Sequence, residues 1–354
     1  MFDWQAPFSA AYEFFAVEKS TLKELRKIEN IKPGGTIERN LNTAIKASGK
    51  FNYVGSVDLD VRELLRVYLI ATDEQGQTER VCLGTFLTQS DTTNIEDVGK
   101  TGEIDCFSVL KILDDDSFSG VYKVDKGTNA LNHAKKIVES VGLKVEVSET
   151  SNFTLGTDLF FNEQDTSKLG IINKLLTMAD FASAMITPDG KVQFKPYEPP
   201  KQSTPVYTFE EGIKATFLPH MQDNAKLSDV HNVVIVTSDN HEGAVVYEAV
   251  NDDPLSPSST VNIGRRIVRR ESVSGLTTEA QAKKHAERLL ANEMVVANNL
   301  DFKHVFHPLV DIGRSVAMRY ETGEINRSMI VQKMSIALSA GALCATTARR
   351  FINV

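Results

Sequence analysis

A pair of apolar runs joined by a polar loop does most to constrain how this chain folds. Leu64-Leu65-Arg66-Val67-Tyr68-Leu69-Ile70 and Arg80-Val81-Cys82-Leu83-Gly84-Thr85-Phe86 are rich in branched and aromatic residues, and Thr72-Asp73-Glu74-Gln75-Gly76-Gln77 between them carries a glycine. That pattern predicts a β-hairpin with a longer connection. The segments around it agree. Tyr12-Glu13-Phe14-Phe15-Ala16-Val17 has the composition of a strand. Lys32-Pro33-Gly34-Gly35 reads as a turn before Ile37-Glu38-Arg39-Asn40-Leu41, and residues 91–102 read as a further connection or strand.

The middle of the chain changes period. Ala130, Ala134, Ile137, Val138 and Val141 recur at helical spacing, with Thr128 or Asn129 placed to cap the start and Gly142 to end the helix. Leu143 to Val147 alternates as a strand. A second helix is predicted from Ser167 to Phe181, and Pro188-Asp189-Gly190 turns into a strand over Lys191 to Phe194. Helices packed on short strands make a small α+β unit. Pro196 to Pro205 reads as a linker or exposed crossing segment.

Beyond it, Val233 to Thr237 and Ala244 to Glu248 read as strands, and residues 251–262 as a loop. A long helix is expected over residues 279–297, with Ala282, Ala286, Leu289, Leu290 and Met294 on one stripe. Ser315 to Tyr320, Met329 to Leu338 and Cys344 to Phe351 return to strand. The fold class is thus α+β, mainly β: two β-rich ends, read as two related barrels, around an α+β insert. The boundaries fall at 1–105, 106–203 and 204–354.

Composition narrows the function. No stretch approaches the roughly 18 uncharged apolar residues of a spanning helix, so no membrane association is expected. Met1-Phe2-Asp3-Trp4 shows neither a basic leader nor an apolar core of a secretory signal. A net charge of −8 argues against wrapping nucleic acid by counterion release. Cys82, Cys106 and Cys344 are too few and too far apart for a disulfide framework or a metal knuckle, and read as buried or half-buried thiols.

Chemical motifs are missing where they would be needed. His304 and His307 are three apart, but Pro308 follows and there is no HExxH; His231 and His241, the latter beside Glu242, flank a strand pair. These read as solvated or hydrogen-bonded loop histidines. Asp114-Asp115-Asp116 opens like a calcium loop, yet Phe118 occupies a ligand position, so it reads as a solvated acidic turn. Neither a nucleophile elbow nor a glycine-rich phosphate cradle occurs. Arg265, Arg266, Arg269 and Arg270 form a cluster with no interleaved aromatics, expected on a solvent-facing strand or loop. No catalytic, cofactor-binding or metal residue is assigned, and no cofactor is expected.

The order of segments resembles the tail hub proteins of tailed phages. Trp4, Tyr12-Glu13-Phe14, Gly34-Gly35-Thr36-Ile37-Glu38-Arg39-Asn40, Ile45-Lys46-Ala47-Ser48-Gly49 and Asp58-Leu59-Asp60 look like the start of that family. Leu64 to Tyr68 and Leu83 to Phe86 stand where its next two strands lie. Later, Lys283 to Leu290 and His307-Pro308-Leu309-Val310-Asp311-Ile312-Gly313-Arg314-Ser315-Val316 are similar to its helix core and its turn-and-strand, although Arg314 replaces the expected acid. Ile330 to Leu338 resembles its final strand.

The resemblance covers most of the chain and implies a baseplate-hub or tail-associated protein, with two tail-tube-like β-barrels per chain. Such proteins form homotrimers whose ring joins the six-fold tail tube, or a distal tail protein, above to a three-fold spike, fibre or lysin below, and DNA passes through the lumen. The implied location is the virion, at the tail tip or baseplate, after synthesis in the host cytoplasm. A lumen passing DNA is expected to be acidic or neutral, with Glu38 and Asp60 as wall residues and Arg265 to Arg270 on an outer or subunit-facing surface. Long siphophage relatives carry a lytic or adhesin domain after the hub; Val354 closely follows the last expected strand, so a hub alone, or one cut short of such a domain, is read here. The alternatives are a cell-wall hydrolase and a receptor-binding tail module; the latter needs an aromatic platform, and Trp4 is the single tryptophan.

Overall fold

The computed structural model describes residues 2–350, apart from 97–98, 162–166, 199–203, 226–229, 239–244, 255, 257, 274–275, 277, 295–297 and 342. The first block is all strand: β1 (Phe8–Glu18), β2 (Glu24–Lys27), β3 (Ile31–Asn40), β4 (Ala47–Val54), β5 (Glu63–Asp73), β6 (Thr78–Glu96) and β7 (Gly99–Ser108). The predicted hairpin is β5–β6, antiparallel, with Leu65 opposite Phe86. Every second residue of β5 from Leu65 to Leu69 enters the core, as the two-residue period of a strand requires. Lys32-Pro33-Gly34-Gly35 is not a turn between strands but an irregularity inside β3, where the register against β4 shifts between Lys32 and Thr36. Proline has no N–H to give a ladder, and Gly34 takes a φ of 110° that side-chain-bearing residues avoid, so the pair fits a bulge as well as it fits a turn.

The insert follows as α1 (Leu110–Asp115), β8 (Tyr122–Val124), α2 (Ala130–Ser140), β9 (Val145–Val147), β10 (Leu159–Phe161), α3 (Lys168–Met178), β11 (Met185–Ile186) and β12 (Val192–Phe194). Asn129 caps α2 by accepting from the Asn132 N–H, and Ser167 caps α3 by accepting from Gly170 N–H. The apolar faces of α1, α2 and α3 meet in one cluster that also takes in Val17 and Leu64. Arg66, almost fully buried, fastens insert to sheet: its guanidinium donates to the Asp189 carbonyl at 2.8 Å and to Thr85 Oγ1 at 2.9 Å.

The last block holds β13 (Tyr207–Glu210), β14 (Phe217–Ala225), β15 (Val233–Ser238), β16 (Val246–Val250), α4 (Thr260–Ile263), β17 (Val268–Val273), α5 (Glu279–Met294), β18 (Asn298–Val305), β19 (Ser315–Tyr320), β20 (Ile325–Ala337) and β21 (Leu343–Arg350). Ala244, Phe351 and residues 295–297, all included in sequence-predicted elements, lie outside the described residues. Thr278 and Gln281 form a reciprocal capping box at the start of α5. The helix does not pack on the large sheet. It covers a separate three-stranded sheet, β16–β15–β17, in a small core of Val234, Val236, Ala282, Ala286 and Leu290.

The two end blocks are not independent sheets. They form one thirteen-stranded sheet, joined where β3 runs antiparallel to β20 with Ile37 opposite Ile336. Among the described residues no pairing links its path ends, β14 and β2. One hydrophobic core serves both halves, from Phe14, Phe51 and Phe86 to Phe209, Phe302 and Met334.

Two glycines in this core are required by close approach. The ring of Phe51 folds back over Gly49, and that of Phe86 over Gly84; a Cβ at either glycine would sit 2.5 Å from the ring. Both rings are buried and cannot swing away. Gly84→Val is therefore expected to cost about 1–3 kcal/mol by overpacking, read as a lowered urea midpoint. An unchanged midpoint would mean that the ring does not lie over the glycine.

Candidate functional site

The fold assembles a cleft of about 720 Å³ where the big sheet, the insert and α5 come together. β3 brings Arg39, the β3–β4 connection Lys46, the insert's last segment Tyr197, α5 Arg288, the loop before β19 Arg314, and β21 Arg349. Arg39 is compensated, with its guanidinium 2.7 Å from Asp311. Lys46 is 4% exposed and donates to the Leu41 carbonyl at 2.7 Å; burial pulls its ammonium down to about 8. Arg288 lies 3.9 Å over the Tyr197 ring and donates to the Phe181 carbonyl at 2.9 Å, while Arg349 donates to the Asn292 carbonyl. Burial lowers both guanidiniums, Arg349 to about 10.

Among the described residues, no carboxylate lies within ion-pair distance of Lys46, Arg288, Arg314 or Arg349. Of the acids in the same wall, Asp311 is held by Arg39, Glu293 by Arg269 and His231, and Glu198 is exposed. Positive charge therefore exceeds negative in this cleft, in a chain whose net charge is −8. The cleft residues come from six separated segments, so no local motif announces them. The one local signal is Arg314, at the position where the tail-hub pattern carries an acid.

The residues singled out from sequence are dispersed. Glu38, on β3, lies 3.5 Å from Lys333 on β20, and Asp60, in the connection before β5, lies 3.1 Å from Arg62. Both acids are thus paired with a cation. The arginine cluster is split by strand alternation. Arg269 turns toward α5 and binds Glu293 and Glu271, each at 2.6 Å, whereas the exposed Arg270 points to the other side of β17. Arg266 pairs with Glu248 at 2.7 Å, and Arg265 is exposed.

His304 is fully buried. Its Nδ1 donates to the Val305 carbonyl at 2.7 Å, and Nε2 accepts from the Thr346 hydroxyl at 2.8 Å. His307 stacks 4.1 Å from Tyr207 and accepts the Leu309 N–H at Nδ1. His304 is thus a core histidine rather than a loop one, whereas His307 is a hydrogen-bonded, half-buried loop histidine as expected. His231 binds Glu293 at 2.9 Å, and His241 and Glu242 lie outside the described residues. Asp115 and Asp116 each bind a lysine, Lys111 and Lys168, at 2.5 Å. Among the described residues no cluster of three metal-ligating side chains forms. Cys106 and Cys344 are buried and Cys82 is half-buried, as expected; burial pushes the Cys82 thiol up to about 11 and that of Cys344 to about 12.

No family model matches the sequence, and no curated protein matches it. Solved structures do. The tail protein of Neisseria meningitidis MC58 aligns over 96% of this chain and 97% of its own, with a TM-score of 0.67 at 15% identity. The 43 kDa tail protein of prophage MuSo2 from Shewanella oneidensis covers 96% and 98%, at 0.62 and 12% identity. Prophage tail protein gp18 of Listeria monocytogenes EGD-e covers 95% and 94%, at 0.54 and 14% identity. The resemblance read from the sequence holds at the level of the fold, end to end.

Proposed function

We propose that the chain is a structural hub of a phage tail or tail-like particle, located in the virion at the tail tip or baseplate. Three copies would form a ring between the six-fold tube, or a distal tail protein, and a three-fold spike, fibre or lysin, with DNA crossing its lumen. The observation that carries this reading is the whole-length likeness to the Neisseria tail protein. Joining of the two β-rich ends into one sheet supports it further, since a ring segment must be stiff across its width. Within this reading residues 1–105 and 204–354 would each supply a tube-like part, as the two halves of one sheet over a shared core, and 106–203 the insert. The β15–β17 sheet and α5 are an excursion from the second part. The charge pairs Glu38–Lys333 and Asp60–Arg62 would give a passing duplex no net cation to bind.

Light scattering on the purified protein tests the assembly. The expected mass is three times 39.1 kDa, and a particle that stays monomeric at every concentration would overturn the trimer. The role is read as non-enzymatic, so purified cell wall incubated with the protein should release neither sugar nor peptide. Release above a heat-treated control would move the assignment to the hydrolase.

A further inference from the structure

We propose that the cationic cleft between the large sheet, the insert and α5 is a binding site for an acidic polypeptide segment, whose carboxylates pair with Arg314, Arg349 and Lys46. The imbalance is the first reason. Among the described residues, Lys46, Arg288, Arg314 and Arg349 face one cavity without an acid in ion-pair reach, although the chain has 47 acids for 39 lysines and arginines and pairs its cations widely elsewhere. Desolvated cations left without a counter-charge are costly, and a carboxylate entering the cleft would offset that cost. The second reason is unmet hydrogen bonding. Among the described residues, Arg349 Nε and Arg288 Nη1 are buried with no acceptor, and the Oε1 of Gln332, a residue 6% exposed that also lines the cleft, is buried with no donor. An acidic segment brings carboxylate acceptors, and its backbone N–H groups bring donors for Gln332; a bare anion brings no donor.

The shape favours peptide over nucleic acid. A volume of about 720 Å³ holds a few side chains but not a duplex, and the wall alternates its cations with Met185, Ile186, Pro188 and Ile312. Tyr197, the aromatic best placed to stack a base, is already covered by Arg288. Burial pulls the Lys46 and Arg349 pKa values down, so the cleft holds both cations largely out of water. The inference stands apart from the hub reading, because it does not depend on oligomeric state.

Calorimetric titration of the full chain at low salt tests it, with hexaglutamate as probe and hexalysine, hexaserine, inorganic phosphate and a thymidine hexanucleotide as comparisons. Hexaglutamate should bind one per chain and weaken with added salt, and hexalysine and hexaserine should not bind. Arg314→Gln, at an exposed position that folding does not need, and the double variant with Arg349→Gln should each weaken binding, the double about tenfold or more. Arg62→Gln, altering an arginine paired with Asp60 away from the cleft, should leave it unchanged. The proposal is overturned if hexaglutamate does not saturate, if the double variant binds as tightly as the original, or if phosphate or the oligonucleotide binds as tightly as the peptide.

Discussion

Phe51→Ala is expected to lower stability by about 3–5 kcal/mol, the largest effect anticipated for a single substitution in this molecule. Phe51 is fully buried on β4, next to the strand that joins the two halves of the sheet. Its ring meets Phe14 at 5.5 Å and Phe86 at 5.9 Å, both edge-on, and also roofs Gly49. Removing it deletes a large apolar surface and leaves a void that glycine cannot fill from below. The surrounding strands are held by ladders on both sides, so collapse around the void is restricted. Urea denaturation at neutral pH measures the loss. A change below about 1 kcal/mol would show that Phe51 is not a keystone of a core shared by both halves.

How much of this was legible in the sequence depends on distance along the chain. Elements specified by neighbours were readable: the 64–86 hairpin, the helix capped at Thr128 or Asn129, the helix beginning near Ser167 and the start of α5 at residue 279 all follow from residues within one turn or one loop. Lys32-Pro33-Gly34-Gly35 was misleading because proline and glycine serve a bulge and a turn for the same physical reasons. What could not be read is pairing between distant segments. Nothing local in Ile37 says that it will face Ile336, since both are simply apolar residues of strands with a two-residue period. The separate α5 unit was hidden likewise, because an amphipathic helix shows that it has an apolar face and not which sheet will cover it. The cleft has the same property in sharper form: Lys46, Arg288, Arg314 and Arg349 are ordinary surface-type residues until the fold gathers them.

The histidines give the second large effect, and it follows from their burial. His304 is held neutral mainly by burial beside the Phe209 and Phe302 rings at 4.9 and 5.5 Å; the Val305 carbonyl works against this and His307 adds to it, and among the described residues no carboxylate pairs with the ring. Burial pulls its pKa from 6.5 down to about 4, and that of His307, half-buried against Tyr207, to about 4 as well. In the unfolded chain each histidine takes up a proton near pH 6.5, whereas in the folded chain it does so only near pH 4. Between those values the unfolded state binds more protons, so stability is intact above about pH 6.5 and falls as pH drops toward 4. For His304 alone the loss is on the order of 1 kcal/mol by pH 5.5 and about 3 kcal/mol in full. His307 and the partly buried His133, whose pKa burial also lowers, add to the slope in the same direction. Urea midpoints taken from pH 7.5 to 4.5 should therefore decline. His304→Gln, which keeps a polar side chain but cannot titrate, should be less stable at pH 7.5 yet decline less steeply. Equal slopes for the two proteins would mean that His304 is not held neutral in the folded core. Acid lability of this origin would sit in the C-terminal half of the large sheet, where β18 carries His304 against Thr346 of β21. The expected first consequence of mild acid is loosening of the β18–β21 pairing, while the β5–β6 hairpin, whose core residues Leu65, Val67 and Leu69 do not titrate, keeps its packing.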